Sequence, residues 1–121
     1  MVSALLDTNI LIDYLRGLSP AREELGRYER KAISVVTWME VLIGATPETE
    51  RGTRDFLDSF TRIAVDDRVA ERAVFLRRKH HVSLPDAIVW ASAQVHSMLL
   101  VTRDVKSFPD GDPGIRLPYT L

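Results

Sequence analysis

The sequence contains no cysteine among its 121 residues. Disulfide bonds and thiolate metal sites are therefore excluded, and a reducing cytosol is a permitted location. No apolar run approaches the roughly 20 residues that a transmembrane helix needs, so we expect no membrane association. The amino end has no basic region, and Asp7 interrupts its apolar start, which argues against a signal peptide. Together these absences predict a cytoplasmic location.

The chain also has little net charge, −1, with 16 Lys and Arg against 17 Asp and Glu. Proteins that hold nucleic acid by general electrostatics are usually much more basic. If nucleic acid is the substrate, a local basic patch or a bound cation must supply the attraction. The hydrophobic fraction of 45% is ordinary for a globular protein. The length predicts a single domain, residues 1–121, with a core of its own.

Strand-like and helix-like segments alternate along the chain. The predicted strands are residues 4–6, 32–36, 62–65, 98–102 and 115–117. The predicted helices between them have entry signals at residues 19–20, 37–40, 46–48, 66–67 and 83–86. This alternation is typical of parallel strands joined by right-handed crossovers. It predicts an α/β fold with a small parallel sheet and helices on both faces.

Four acids stand out because of their positions relative to the predicted strands. Asp7 directly follows the first strand, and Asp104 lies just past the strand at residues 98–102. Glu40 and Asp86 lie in the first turns of predicted helices, although no clear strand directly precedes Asp86. In a parallel sheet, strand ends and the starts of the following helices share the edge where ligands bind. We therefore expect all four acids to share one site.

Such a cluster of carboxylates has a specific electrostatic problem. The charges repel, so either some of the acids are protonated or a cation neutralises them. Oxygen ligands without cysteine or a nearby histidine suit Mg²⁺ or Mn²⁺. Such an ion lowers the pKa of a bound water and polarises a phosphoryl group. The cluster therefore favours metal-assisted cleavage of phosphodiester bonds.

Each acid also has a purely structural explanation. Thr37 and Glu40 match a capping box, in which Glu40 only completes a helix N-terminus. Asp7 and Asp86 would likewise cap or begin helices. Asp104 would begin a turn.

Other functional classes fit the sequence less well. A receiver-like phosphoacceptor places a pair of acids after its first strand, and this chain does not. In a phosphatase of the D-x-D type, the second acid would stand where this chain has Asn9. The basic run at residues 77–81 either contacts RNA phosphates or complements a helix dipole. Trp38 and Trp90 have apolar neighbours and are predicted to be core residues, whereas Asp13 is expected to be solvated or paired.

Four segments, in this order, resemble the PIN-domain ribonucleases, specifically the VapC-like toxins of bacterial and archaeal toxin–antitoxin pairs. The segments are LLDTNILI at residues 5–12, SVVTWMEVLIG at 34–44, LPDAIVWA at 84–91 and LLVTRD at 99–104. The resemblance implies a PIN-like three-layer sandwich and a Mg²⁺- or Mn²⁺-dependent endoribonuclease. The family's acidic positions fall on Asp7, Glu40, Asp86 and Asp104. The positions of its polar support fall on Thr8, Asn9 and Thr102.

The resemblance also implies partners. These are an RNA substrate, a second copy in a homodimer, and a cognate antitoxin that covers the active site. The alternative is a non-catalytic RNA- or protein-binding module on a PIN-like scaffold. The presence of all four acids favours catalysis. Residues 45–83 carry no recognisable motif, so substrate choice cannot be inferred there.

Overall fold

A computed structural model describes residues 2–109 and 111–121. Within these residues the chain forms six helices and one parallel sheet of five strands in the order β3-β2-β1-β4-β5. The strands are β1 (Ser3–Leu6), β2 (Arg30–Ser34), β3 (Thr61–Ile63), β4 (Leu99–Val101) and β5 (Ile115–Arg116). The helices are α1 (Thr8–Leu15), α2 (Ser19–Gly26), α3 (Val35–Ile43), α4 (Glu50–Asp58), α5 (Asp67–His80) and α6 (Leu84–Val95). The predicted α/β class is confirmed.

The central strand β1 separates two apolar cores. Leu5 packs in one core with residues of α5 and α6, including Trp90, which is 2% exposed. Ala4 and Leu6 belong to the other core, with residues of α1, α2, α3 and α4. Successive side chains of a strand point to opposite faces, so an apolar β1 is covered on both sides. The result is the expected three-layer sandwich. No helix in the described part of the chain is both long and apolar enough to span a membrane.

The registry of β1 and β4 determines which residues meet at the carboxyl edge of the sheet. Leu6 is paired with Val101, and the backbone N–H of Asp7 donates to the Val101 carbonyl at 2.9 Å. The two strands therefore end together. Asp7 and Thr102 follow them side by side at the sheet edge.

The second strand ends earlier than the sequence predicts, and the predicted capping box is wrong. β2 stops at Ser34, whose hydroxyl oxygen accepts from the Val36 N–H at 3.1 Å and caps α3. Thr37 therefore lies inside the helix and is fully buried. Val35 and Val36 favour strands in isolation because they are β-branched, but the serine before them supplies an effective helix cap.

Two other predicted helix entries are shifted. Residues 46–49 form a hydrogen-bonded turn, in which the Thr46 N–H donates to Thr49 Oγ1 at 2.9 Å, and α4 begins only at Glu50. Ser19 is inside α2, where the N-cap position is Leu18 and no side chain caps the helix. Pro20 suits the first turn of α2 because its missing N–H has no helical partner there.

The remaining two entries are confirmed. Asp66 caps α5, accepting from the Val69 N–H at 2.9 Å. Ser83 caps α6, accepting from the Asp86 N–H at 3.2 Å. Because Ser83 fixes the start of α6, Asp86 is held in the first turn of that helix.

Candidate active site

Asp7 is a carboxylate buried at the end of the central strand, with 5% of its surface exposed. Its Oδ1 accepts from the Thr8 N–H at 2.8 Å, and its Oδ2 accepts from the Thr102 hydroxyl at 2.8 Å. Burial raises the pKa of Asp7 to about 6, against the lowering effect of these hydrogen bonds. The negative charges of Asp86 and Glu40 raise it further. The fold therefore brings these three acids within electrostatic reach of one another.

Asn9 and Thr102 lie beside Asp7, where polar support was expected. Asn9 Nδ2 donates to the Thr102 hydroxyl oxygen at 3.2 Å and lies 3.4 Å from Asp7 Oδ2. The amide oxygen of Asn9 accepts from the Arg103 N–H at 3.2 Å. These bonds join the start of α1 to the segment that leaves β4, so the Asp7 carboxylate has a fixed orientation.

Glu40 is held at the site by Thr8. The Thr8 hydroxyl donates to Glu40 Oε1 at 2.6 Å and lies 3.0 Å from the hydroxyl oxygen of Thr37. Glu40 lies one helical turn after Thr37, so both side chains lie on the same face of α3. The i, i+3 spacing that resembled a capping box therefore places both side chains beside the Thr8 hydroxyl. The contact of the Thr37 hydroxyl with Thr8 was not predicted from the sequence.

Asp104 has a different environment from the other three acids. Its backbone N–H donates to the Thr102 hydroxyl oxygen at 3.1 Å, so its main chain adjoins the site. Its carboxylate instead accepts from the N–H groups of Lys106 and Ser107, at 3.1 and 3.2 Å. Burial opposes the shift, but these bonds and one from the Ser107 hydroxyl hold the pKa of Asp104 below its usual range. In this conformation the side chain closes a turn, which was the structural explanation considered for it.

The acids approach one another without forming a coordination shell. Within residues 2–109 and 111–121, no three His, Asp or Glu side chains lie close enough together to hold a metal ion. Asp7, Glu40 and Asp86 therefore form an acidic edge, in which the charges of Glu40 and Asp86 act on Asp7.

Comparisons with known proteins give the context of this edge. A model of the PIN domain family matches residues 4–111. The chain belongs to the PIN-domain family. Ribonuclease VapC10 of Mycobacterium tuberculosis is 33% identical to it over 113 residues, which cover 87% of this chain and 85% of the relative.

Solved structures resemble this PIN domain along most of its length. A chain of a toxin–antitoxin complex from Klebsiella pneumoniae is 45% identical, with a TM-score of 0.94 and coverage of 98% of this chain and 100% of that chain. DNA-bound VapBC from Salmonella typhimurium has a TM-score of 0.77 at 23% identity, covering 96% of each chain, and supports the fold alone. The VapC-like resemblance predicted from the four segments is confirmed.

A buried ion pair lies next to the acidic edge of this PIN domain. Asp13, which is fully buried in α1, accepts two hydrogen bonds from the Arg103 guanidinium and one from the Tyr119 hydroxyl at 2.8 Å. The Asp13–Arg103 hydrogen bonds lower the pKa of Asp13 although burial opposes the shift. Asp13 was expected to be either solvated or paired, and the structure shows that it is paired. Its partner, 90 residues away, had no local signal in the sequence.

The basic run and the two tryptophans singled out in the sequence make contacts within the fold. The Arg77 guanidinium donates to the Val82 carbonyl and helps to end α5, and the His80 ring lies 4.8 Å from that of Trp90. Trp90 is a core residue, as predicted. Trp38 is only half-buried, with the Arg62 guanidinium 4.5 Å from its ring centre, so its assignment to the core holds in part.

Proposed function

We propose that this PIN domain is a divalent-metal-dependent endoribonuclease and the toxin of a toxin–antitoxin pair. The observation that carries the proposal is the environment of Asp7. Asp7 is the N-cap residue of α1, as its structural explanation predicted. A helix cap does not require a carboxylate buried at the end of the central strand, with Glu40 and Asp86 near enough to raise its pKa. The similarity to a protein named as a ribonuclease and to a chain of a toxin–antitoxin complex supports the same activity and system.

The donor chemistry of the edge fits Mg²⁺ or Mn²⁺. All the candidate ligands are carboxylate oxygens, which these hard cations prefer. We infer that Asp7, Glu40 and Asp86 hold the ion, and that Asp104 joins them by giving up its bonds to Lys106 and Ser107. When bound, the ion supplies Lewis acidity and a water of lowered pKa for attack on a phosphodiester.

The protein's own contribution is to position these ligands. Thr102 and the Thr8 N–H hold the two oxygens of Asp7, and the Thr8 hydroxyl holds Glu40. Ligand-orienting hydrogen bonds of this kind typically affect metal affinity or activity by 10- to 100-fold, roughly. Thr8, Asn9 and Thr102 are therefore proposed as positioning residues rather than catalytic ones.

The partners proposed for this domain are RNA, a cognate antitoxin and a second copy of the chain, in the cytoplasm. A groove of 380 Å³ adjoins Glu40 and is lined in part by Ile12, Leu15 and Val41. An antitoxin tail with an apolar anchor and a basic side chain would complement this groove and the acids beside it. On α3, Met39 is 45% exposed and Ile43 is 83% exposed one turn later, which suits burial in a homodimer.

Cleavage of labelled single-stranded RNA with Mg²⁺, Mn²⁺ or EDTA tests the proposed activity. We expect cleavage with either ion, none with EDTA, and a loss of at least about 100-fold in Asp7→Asn and Asp86→Asn. Asp55→Asn, which neutralises an exposed acid of α4, is the matched control and should cleave normally. Parental cleavage by Asp7→Asn would refute the proposed site. Tight RNA binding without any cleavage would favour the non-catalytic binding module.

Co-expression with the product of the neighbouring gene tests the proposed antitoxin. We expect a stable complex in which RNA cleavage is suppressed. A partner that binds while cleavage continues at the free rate would contradict the proposal that the antitoxin covers the site.

A further inference from the structure

One exposed face of α5 combines three cations with an aromatic ring. Arg68, Arg72, Phe75 and Lys79 follow one another at spacings of four, three and four residues, which places them on one side of the helix. The apolar core uses other residues of α5, namely Val69, Ala73 and Leu76. Phe75 is 46% exposed. We call these four residues the basic–aromatic face.

Two of the three cations of this face lie over the phenyl ring. The Arg72 guanidinium carbon lies 4.6 Å from the ring centre of Phe75, and Lys79 Nζ lies 5.6 Å from it. Arg72 Nε also donates to Gln94 Oε1 at 2.6 Å, which fixes the guanidinium against α6. An exposed ring flanked by cations offers a stacking surface and phosphate contacts within a few ångströms of each other.

The charge distribution is local and is not explained by helix stability alone. Five of the chain's 16 Lys and Arg residues lie in α5, against two of its 17 acids, although the whole chain is slightly acidic. Cations in the last turn complement the helix dipole. Arg68 and Arg72 lie in the first half of α5, where the dipole provides no such benefit. This local concentration of positive charge therefore favours binding of an anionic partner.

We propose that the basic–aromatic face binds a single-stranded segment of the RNA substrate outside the acidic edge. The inference rests on the proposed ribonuclease function. Phosphates contact Arg68, Arg72 and Lys79, and one base stacks on Phe75. Only residues 81–83 separate α5 from α6, whose first turn carries Asp86, so the Lys79 end of the face is the end of α5 that leads toward Asp86. From Arg68 to Lys79 the face is about 17 Å long at the helical rise of 1.5 Å per residue.

Equilibrium binding of a fluorescent single-stranded RNA of about 20 nucleotides, in EDTA to prevent cleavage, tests this face. Phe75→Leu keeps the apolar character but removes the aromatic ring, so we expect about tenfold weaker binding. Phe75→Trp restores stacking and should bind at least as well as the parent. Replacing Arg68, Arg72 and Lys79 with Gln should lower the slope of log affinity against log salt by about 2.

The control variant replaces Arg22, Arg30 and Arg51 with Gln, which removes the same charge from exposed positions on α2, β2 and α4. Equal weakening in the control, or parental binding by Phe75→Leu, overturns the proposal. A change of oligomeric state in the α5 variants, measured by light scattering, assigns the face to a second copy and also overturns it. A loss of antitoxin binding in the α5 variants, with their RNA affinity unchanged, would likewise overturn the proposal.

Cleavage of the same RNA with Mn²⁺ separates this proposal from the general function. If the parent binds through α5 but never cleaves, the ribonuclease activity fails while the binding face stands. If the parent cleaves and binding is independent of α5, only the binding face fails. Circular dichroism melts of each variant show that any lost binding does not reflect unfolding, and Phe75→Trp provides a second variant of the ring position.

Discussion

Arg103 Nη2 donates to Asp13 Oδ1 at 3.0 Å and joins the exit of β4 to the middle of α1. The pair borders the active site because the Arg103 N–H also holds the amide oxygen of Asn9. Asp13 is fully buried, whereas the Arg103 side chain is 30% exposed. The carboxylate therefore depends on its protein partners more than the guanidinium does.

Neutralising Asp13 should destabilise the fold far more than neutralising a surface partner. We expect Asp13→Asn to lower the free energy of unfolding by about 2–3 kcal/mol, because breaking a buried pair leaves a charge without its partner. The value lies below the roughly 3–5 kcal/mol of fully buried pairs because Arg103 can still reach water. Urea denaturation at pH 7 measures the difference.

The control for this comparison is Glu50→Gln, which neutralises the acid of the exposed Arg54–Glu50 pair. We expect a cost below about 1 kcal/mol for that change. Equal costs for the two variants would show that burial adds nothing to the Asp13–Arg103 interaction. Because the pKa of Asp13 is lowered in the fold, its contribution is present at neutral pH and is lost as the pH falls below the usual carboxyl range.

Asp7 should show the opposite pH dependence. Its pKa rises from 3.8 to about 6 on folding, so the folded state takes up a proton before the unfolded state does as the pH falls. The charged carboxylate therefore reduces stability at pH 7, and the penalty disappears between about pH 6 and pH 4. We expect Asp7→Asn to raise the free energy of unfolding by about 1–3 kcal/mol at pH 7 without metal, and by little at pH 4.

Urea denaturation in EDTA across this pH range checks the prediction, with Asp55→Asn as the exposed control. A gain that is the same at pH 4 and pH 7 would indicate that the Asp7→Asn substitution improves packing or hydrogen bonding instead of relieving charge.

Divalent ions should stabilise the parent through the acidic edge. An ion that binds only the folded state adds about 2.7 kcal/mol at 100 times its Kd. For a chain of this size, that corresponds to a rise in Tm of roughly 10 °C. Thermal melts with Mg²⁺ or Mn²⁺ should show this rise in the parent and in Asp55→Asn. The rise should be much smaller in Asp7→Asn and Asp86→Asn, and an equal rise in Asp7→Asn would place the ion elsewhere.

Asp104→Asn tests the fourth proposed ligand in the same melts. Asn retains one oxygen for the turn at Lys106 and Ser107, so we expect the metal-free Tm to change little. If Asp104 leaves that turn to bind the ion, the metal-dependent rise should fall below the parental value. A full rise with parental RNA cleavage would limit Asp104 to its role in the turn.

The carboxyl edge of the sheet could be predicted because its signals are local. An apolar strand that ends in Asp7 and a Ser83 cap before Asp86 both place an acid by sequence position. Glu40 was predicted on the correct helix, but not in its first turn, because α3 begins at Val35, and the explanation that it completes a capping box was wrong. Ser34 and Thr37 are both able to cap a helix, and burial of the Thr37 hydroxyl against Thr8 is a tertiary effect that a sequence window does not contain.

The parts that could not be predicted depend on contacts between distant residues. Asp13 and Arg103 are 90 positions apart, and neither lies in a pattern that names the other. For Asp104 the sequence left two explanations open, a site acid or a turn, and in this conformation its side chain bonds to its own turn. Sequence position placed its main chain at the edge but did not determine its rotamer.

Because Ser34, and not Thr37, caps α3, helix capping and the proposed catalytic role of Glu40 can be tested by separate substitutions. Ser34→Ala removes the cap and should cost about 1 kcal/mol of unfolding free energy, while leaving Glu40 and its bond to Thr8 in place. Glu40→Gln keeps an oxygen that can accept from the Thr8 hydroxyl but removes the negative charge. We therefore expect stability near or above the parental value without metal, and a loss of most metal-dependent RNA cleavage. Urea denaturation and RNA cleavage with Mn²⁺ measure the two effects, and Ser34→Ala should retain cleavage when it is folded. If Glu40→Gln cleaves as well as the parent, Glu40 is not a metal ligand and the acidic site is reduced to Asp7, Asp86 and Asp104.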